Sequence, residues 1–211
     1  MLRILTGFIL FLWALAAAGT ALYTAPAFEF LDLDPVALHL ANGTISFVDL
    51  PDFERFGLVF TETEIRHLAD VRSAVAFVHT SLIVLLVILI ALLIWRPQLR
   101  FGGTTAALAI LAGILAILIL SYGLFGYEAT SDLLHLIYFD ADSYVFHGET
   151  LTARLYGKQA MLNGAAFIVA LTALALIVAW ITARIPLPTR FARWQREPAA
   201  PKRPDVSAND V

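Results

Sequence analysis

The sequence predicts an all-α integral membrane protein with four helices crossing the bilayer and two polar segments standing outside it. Three observations lead there. The 211-residue chain is 60% hydrophobic and 15% charged, with a mean hydropathy of +0.80, whereas soluble domains average roughly 45–50% and 25%. Its apolar residues are gathered into four long blocks, and its charged residues are confined between and beyond them. Composition also excludes several classes. A net charge of −3 leaves no basic surface for nucleic acid. The absence of cysteine removes disulfides, thiolate metal sites and cysteine nucleophiles.

The blocks are residues 4–23, 74–95, 104–122 and 164–182. A hydrocarbon core about 30 Å thick takes roughly 20 residues at about 1.5 Å each, and only a helix satisfies its own backbone there. The first block has a competing reading as a leader, with Arg3, an apolar stretch and Ala25-Pro26-Ala27 in sequence. The stretch exceeds the usual 7–15 residues and Pro26 sits badly between small residues, so a retained helix is expected. The spans and the two polar segments between them, residues 24–73 and 123–163, form one membrane domain over 1–184. Residues 185–211, rich in Pro, Ala and Arg, read as a disordered tail.

Charge orients the spans. With Arg3 on the cytoplasmic side both termini lie inside, and nine of the 14 basic residues fall on inner segments. The positive-inside rule therefore favours N-in, C-in. All five histidines then fall in the outer segments or, for His79, just inside the membrane on that side. Any chemistry is expected at the outer face.

The outer segments carry the polar residues. Asp34 and Pro35 start a short helix that Gly43 stops; His39 on it reads as a surface or packing residue. Thr61 with Glu64 three residues on is a capping box, a complete structural explanation for Glu64. A helix from Thr61 to Trp95 would be about 52 Å long, with its first three turns above the hydrocarbon. Glu64, His67 and Asp70 are spaced i, i+3, i+6 on that extension, which places Asp70 to orient a His67 ring nitrogen. In the second segment, Thr130, Ser131 or Asp132 caps an apolar interfacial helix bearing His135 and Tyr138, i and i+3 neighbours. Residues 143–148 suggest an extended piece, with His147 in a loop. Lys158 and Gln159 suit headgroup contact.

No zincin motif, G-x-S-x-G turn or phosphate loop occurs, and no cofactor or resident metal is expected. His79 is the one histidine inside a span, too little for haem. A small lipid or ion transporter is disfavoured because the spans hold no Asp, Glu, Lys or Arg. General acid–base chemistry by histidine on a lipid-like substrate remains, alongside a non-enzymatic membrane subunit whose outer loops bind a partner.

The run Phe60-Thr61-Glu62-Thr63-Glu64-Ile65-Arg66-His67-Leu68-Ala69-Asp70-Val71-Arg72 resembles the F-T-x-x-E-I-x-H-M-x-D-V-[KR] block of the bacterial lipoprotein intramolecular transacylase family. Leu134-His135-Leu136-Ile137-Tyr138-Phe139-Asp140 is similar to its second block, F-H-x-x-[FY]-F. Leu68 replaces the usual Met, Leu134 a common Phe, and Leu155-Tyr156-Gly157-Lys158-Gln159 stands where a Pro-aromatic stretch is common. The resemblance covers the chain to about Arg184. It implies a multi-pass protein of the bacterial inner membrane, active on its extracytoplasmic side, whose partners are diacylated lipoprotein N-termini and membrane lipids. The implied reaction moves an acyl chain from the S-diacylglyceryl group of an N-terminal cysteine to that cysteine's amine. On this basis His67 and His135 are the expected acid–base pair and Asp70 the orienting carboxylate. Arg72 and Tyr138, with Glu64 beside them, are the expected substrate and oxyanion contacts.

Overall fold

The computed structural model describes residues 1–46, 50, 52–96, 99–135 (for the last three, backbone alone) and 150–185. In chain order these form α1 (Leu2–Leu22), α2 (Ala25–Phe30), α3 (Pro35–Ala41), β1 (Glu54–Arg55), β2 (Leu58–Val59), α4 (Glu62–Trp95), α5 (Leu99–His135), α6 (Leu151–Leu155) and α7 (Lys158–Ala183). Apart from Tyr23, the C-cap of α1, the four apolar blocks lie within α1, α4, α5 and α7, each long and apolar enough to cross a membrane. The protein is therefore of the all-α membrane class that the hydropathy pattern predicts.

α1 is the axis of the bundle, packed on α4, α5 and α7, while α5 also packs on α7. Small residues make this possible. A Cβ at Gly7 would stand 2.5 Å from the Ala106 Cβ and 2.8 Å from the Gly103 carbonyl oxygen of α5. Ala14, Ala18 and Ala107 are buried along the same spine. Where lipid is as apolar as leucine, such close backbone approach supplies the van der Waals contact that holds helices together. Phe77, Ile83, Val87, Ile117 and Leu120 point outward and are exposed, the pattern of a surface meant for acyl chains.

Beyond one end of the bundle stands a polar head built from α2, α3, the β1–β2 hairpin, the first turns of α4, and α6. α2 occupies the stretch that includes Ala25-Pro26-Ala27, with Pro26 in its first turn, where a missing N–H costs nothing. Asp34 caps α3, accepting from the Val36 N–H at 2.9 Å, and Gly43 at φ 74° ends the helical path. β1 and β2 pair antiparallel. Phe56 and Gly57 both have positive φ, 60° and 74°, the geometry of a two-residue type I′ turn. The outer segments were expected to be loop and helix, and this hairpin between α3 and α4 was not anticipated. Its flanks close on each other through Phe53 stacked on Phe60, 5.9 Å between ring centroids. Phe28, Leu40, Leu50, Leu68 and Leu151 fill the core of the head, separate from the membrane core around Leu10, Phe11 and Leu176.

The third block behaves differently from the expectation of a span ending near Tyr122 followed by a separately capped helix. Helical structure continues past Tyr122 and breaks its path at Gly126, φ 82°, ψ −177°, before running on to His135. This backbone region is essentially open to glycine alone. Thr130 does not cap a helix start. Its hydroxyl donates back to the Gly126 carbonyl at 2.8 Å and pairs with the Ser121 hydroxyl at 3.1 Å. The corner is thus pinned from both sides, and Lys158 stands 5.0 Å from the Tyr127 ring centre to fix the arm against the start of α7.

Candidate active site

The head's interior face of α4 carries the residues of interest. Each helical residue turns about 100°, so Glu64, Leu68 and Val75 fall on one line, and all three are buried. His67 lies about 60° off that line and is still only 6% exposed. Asp70 lies a further 60° or so around. It is exposed to solvent. Among the described hydrogen bonds none joins Asp70 to His67. The i, i+3 spacing that suggested an orienting carboxylate is correct in sequence, but the head covers one flank of the helix and leaves the one bearing Asp70 exposed.

Glu64 is 0% exposed and fully employed. Its Oε2 accepts from the Thr61 N–H at 2.9 Å and from the Thr61 hydroxyl at 2.9 Å, completing the expected capping box. Its Oε1 accepts the Thr152 backbone N–H at 2.7 Å. Burial pushes this carboxyl upward, but the donors from Thr152 and Thr61 outweigh it and leave Glu64 below its ordinary value. One carboxylate therefore ties the start of α4 to the start of α6.

Arg72 is engaged with backbone oxygens. Its Nε and Nη2 donate to the Leu40 carbonyl at 3.4 and 3.2 Å, and Nη2 also donates to Ile45 at 2.8 Å. These contacts hold the carboxyl end of α3, where a guanidinium is favoured by the helix dipole. A Cβ at Gly43 would come within 3.1 Å of the Arg72 Nε, so glycine there serves the close approach as well as the turn. The role expected for Arg72 at an oxyanion is accompanied, in the structure, by this structural one.

His39 keeps the surface role expected of it, its Nδ1 2.8 Å from the Thr44 hydroxyl. His135 is the last residue of α5; its side chain, Tyr138, His147, the extended piece at 143–148 and the tail from 186 lie outside the described residues. The expected meeting of His67 and His135 lies there too. Among the described residues no group of three histidines or acids stands close enough to hold a metal ion.

Three residues of the seam escaped sequence reasoning. Thr150 caps α6 through the Ala153 N–H, Thr152 offers its N–H to Glu64, and the Tyr156 hydroxyl donates to the Ala37 carbonyl at 2.8 Å. Burial, with Tyr23 and Asp34 nearby, pushes the Tyr156 phenol well above its usual range, so it stays a donor. Thr150, a threonine directly before Leu151, was the available signal for a cap. Below them an apolar cavity of about 210 Å³ opens between the ends of α1 and α7, lined by Leu22, Phe28, Leu155, Tyr156 and Met161. Hydrocarbon, not a charged group, fits its walls.

A family profile described as lipoprotein intramolecular transacylase Lit matches residues 5–152, a stretch that includes both histidine blocks. The fold is similar to the in meso structure of the membrane integral lipoprotein intramolecular transacylase Lit from Bacillus cereus, a histidine-to-arginine variant. The TM-score is 0.57 at 15% identity, over 92% of each chain. No curated protein matches the chain.

Proposed function

The chain belongs to the lipoprotein intramolecular transacylase family, and from that premise we propose that it converts diacylated lipoproteins to the lyso form. The observation that carries this reading is the family match over 5–152, with the buried His67 at the seam of the head as its chemical support.

In this reading the substrate's N-terminal cysteine lies at the boundary between head and spans, with its acyl chains in lipid and in the apolar cavity. His67 takes a proton from the α-ammonium, freeing an amine that attacks the ester carbonyl of the S-linked diacylglyceryl group. The nitrogen of the tetrahedral intermediate gives up its second proton to water, and the intermediate collapses with cleavage of the acyl–oxygen bond. The leaving glycerol oxygen takes a proton from His135, and the acyl chain ends as an amide on the cysteine nitrogen. General acid–base catalysis of this kind contributes about 10²–10⁴-fold. Oxyanion stabilisation by Tyr138 or Arg72 would add to it. Asp70, on the exposed flank of α4, is not assigned the orienting role. The chain acts as a multi-pass protein of the bacterial inner membrane with the head outside, where positive-inside charge places it.

The test is mass spectrometry of N-terminal lipopeptides from cells with and without the protein. The expected result is loss of the S-diacylglyceryl form and gain of an S-monoacyl, N-acyl form, absent in His67→Ala and in His135→Ala. Normal conversion by either variant, expressed and folded, would overturn the pair. Unchanged lipopeptides in the presence of the wild type would favour a non-enzymatic membrane subunit.

A further inference from the structure

At the end of the bundle opposite the head, a second cavity of about 140 Å³ opens between α1, α4, α5 and α7. Its lining changes character with depth. Leu10, Leu89 and Ala179 form the wall farther into the bundle, whereas Arg100 and Thr182 stand near the helix ends. Such a gradient matches an amphiphile and not a free ion.

The charge around it is one-sided. Arg3, Arg96, Arg100 and Arg184 all lie at this end, and among the described residues every acidic side chain is at the other. Two of the four are occupied by aromatic faces: Arg96 lies 4.9 Å from the Trp95 ring centre and Arg184 3.5 Å from that of Trp180. Arg100 uses one Nη2 contact on the Ile185 carbonyl, 3.0 Å away. A guanidinium has five N–H donors, so most of its capacity remains. Arg3 lies across α5 two residues along, its Cδ 2.8 Å from the place of a Gly102 Cβ. Two residues along a helix is about 200° of turn, so Arg3 lies on the flank of α5 away from Arg100 and is not part of the cavity's lining.

We propose that this cavity binds an anionic phospholipid, its phosphate on Arg100 and part of one acyl chain in the apolar interior. Basic pockets between transmembrane helices recognise anionic lipid headgroups in this way, and the guanidinium fork suits a phosphate. The site is independent of the acyl-transfer reading and lies at the far end from His67.

Native mass spectrometry of the full chain, delipidated in mild detergent and titrated with phosphatidylglycerol, phosphatidylcholine or inorganic phosphate, tests it. Phosphatidylglycerol is expected to bind preferentially. Arg100→Gln and Arg100→Leu should each weaken it about tenfold, the loss of one charge-assisted contact. Arg96→Gln, with its cation on Trp95, should match the wild type. The two Arg100 variants report separately, so a failure of one to fold leaves the other as the test. Equal binding of the two lipids, or a preference that survives in a folded variant of Arg100, would overturn the site. Displacement of the lipid by inorganic phosphate at equal concentration would reduce it to an anion site and overturn the lipid assignment.

Discussion

Glu64 illustrates how far a single side chain can be read before the fold is known. Its pairing with Thr61 is legible because a capping box is local, completed within one turn. Its second oxygen reaches the Thr152 N–H 88 positions away, and no spacing rule anticipates that. Replacing it with alanine strands two buried N–H donors. Glu64→Ala should therefore cost on the order of 2–4 kcal/mol, read as a lowered midpoint of thermal unfolding in detergent. The folded carboxyl lies below its ordinary value of 4.5. Its contribution is then complete above that value and is lost as pH falls through the lower, folded one. Stability of the wild type should decline in that acid window, and Glu64→Gln should flatten this part of the profile. Asp70 makes the opposite point. Its spacing from His67 is ideal for a triad, yet it is exposed, and among the described residues no hydrogen bond joins it to the ring. Asp70→Asn should keep lipopeptide conversion within a few-fold of wild type, against a loss on the order of 10⁴ where a carboxylate truly orients a catalytic histidine. A loss of that size would restore the orienting role.

At the scale of elements, the four apolar blocks were legible because a bilayer demands about 20 apolar residues and forbids unpaired backbone. The break in α5 was not. Gly123 and Gly126 both lie just past the third block, and hydropathy cannot choose between them. The structure places the bend at Gly126, where a Cβ would meet nothing within 4 Å. The obstacle to substitution is therefore the backbone alone. Gly126→Ala should cost about 1–3 kcal/mol of strain if the bend is kept, or relax toward a straighter helix that carries His135 away from its native position. The expected outcome is near-normal expression and helical content by circular dichroism with lipopeptide conversion reduced at least about tenfold. Conversion at the wild-type rate would show that the direction of the arm is unimportant. The β1–β2 hairpin was missed because two-residue strands carry no period. Its signature was Phe56-Gly57, with a phenylalanine in a position that usually favours Asn, Asp or Gly.

The molecule as a whole is a bundle around α1 with a polar head at one end and arginines at the other. Sidedness can be read directly, because the chain contains no cysteine. A single cysteine replacing the exposed Asp52 should react with a membrane-impermeant maleimide on intact spheroplasts. One replacing Arg96, exposed at the arginine end, should react only after permeabilisation. The reverse pattern would invert the N-in, C-in arrangement and place the chemistry on the cytoplasmic side.

The sequence by itself determined the membrane class, the four spans, the caps at Asp34 and Thr61, and the pair of histidine blocks. Each rests on contiguous apolar length, local hydrogen bonding or a short motif. Only the tertiary structure decided which flank of α4 is buried. That choice separates His67, turned into the head, from Asp70, left exposed, and gives Glu64 its tie to α6. The same packing places α1 at the centre, through Gly7 against Gly103 and Ala106. These outcomes depend on surfaces brought together from distant parts of the chain, and periodicity along one helix does not say which neighbour will cover it.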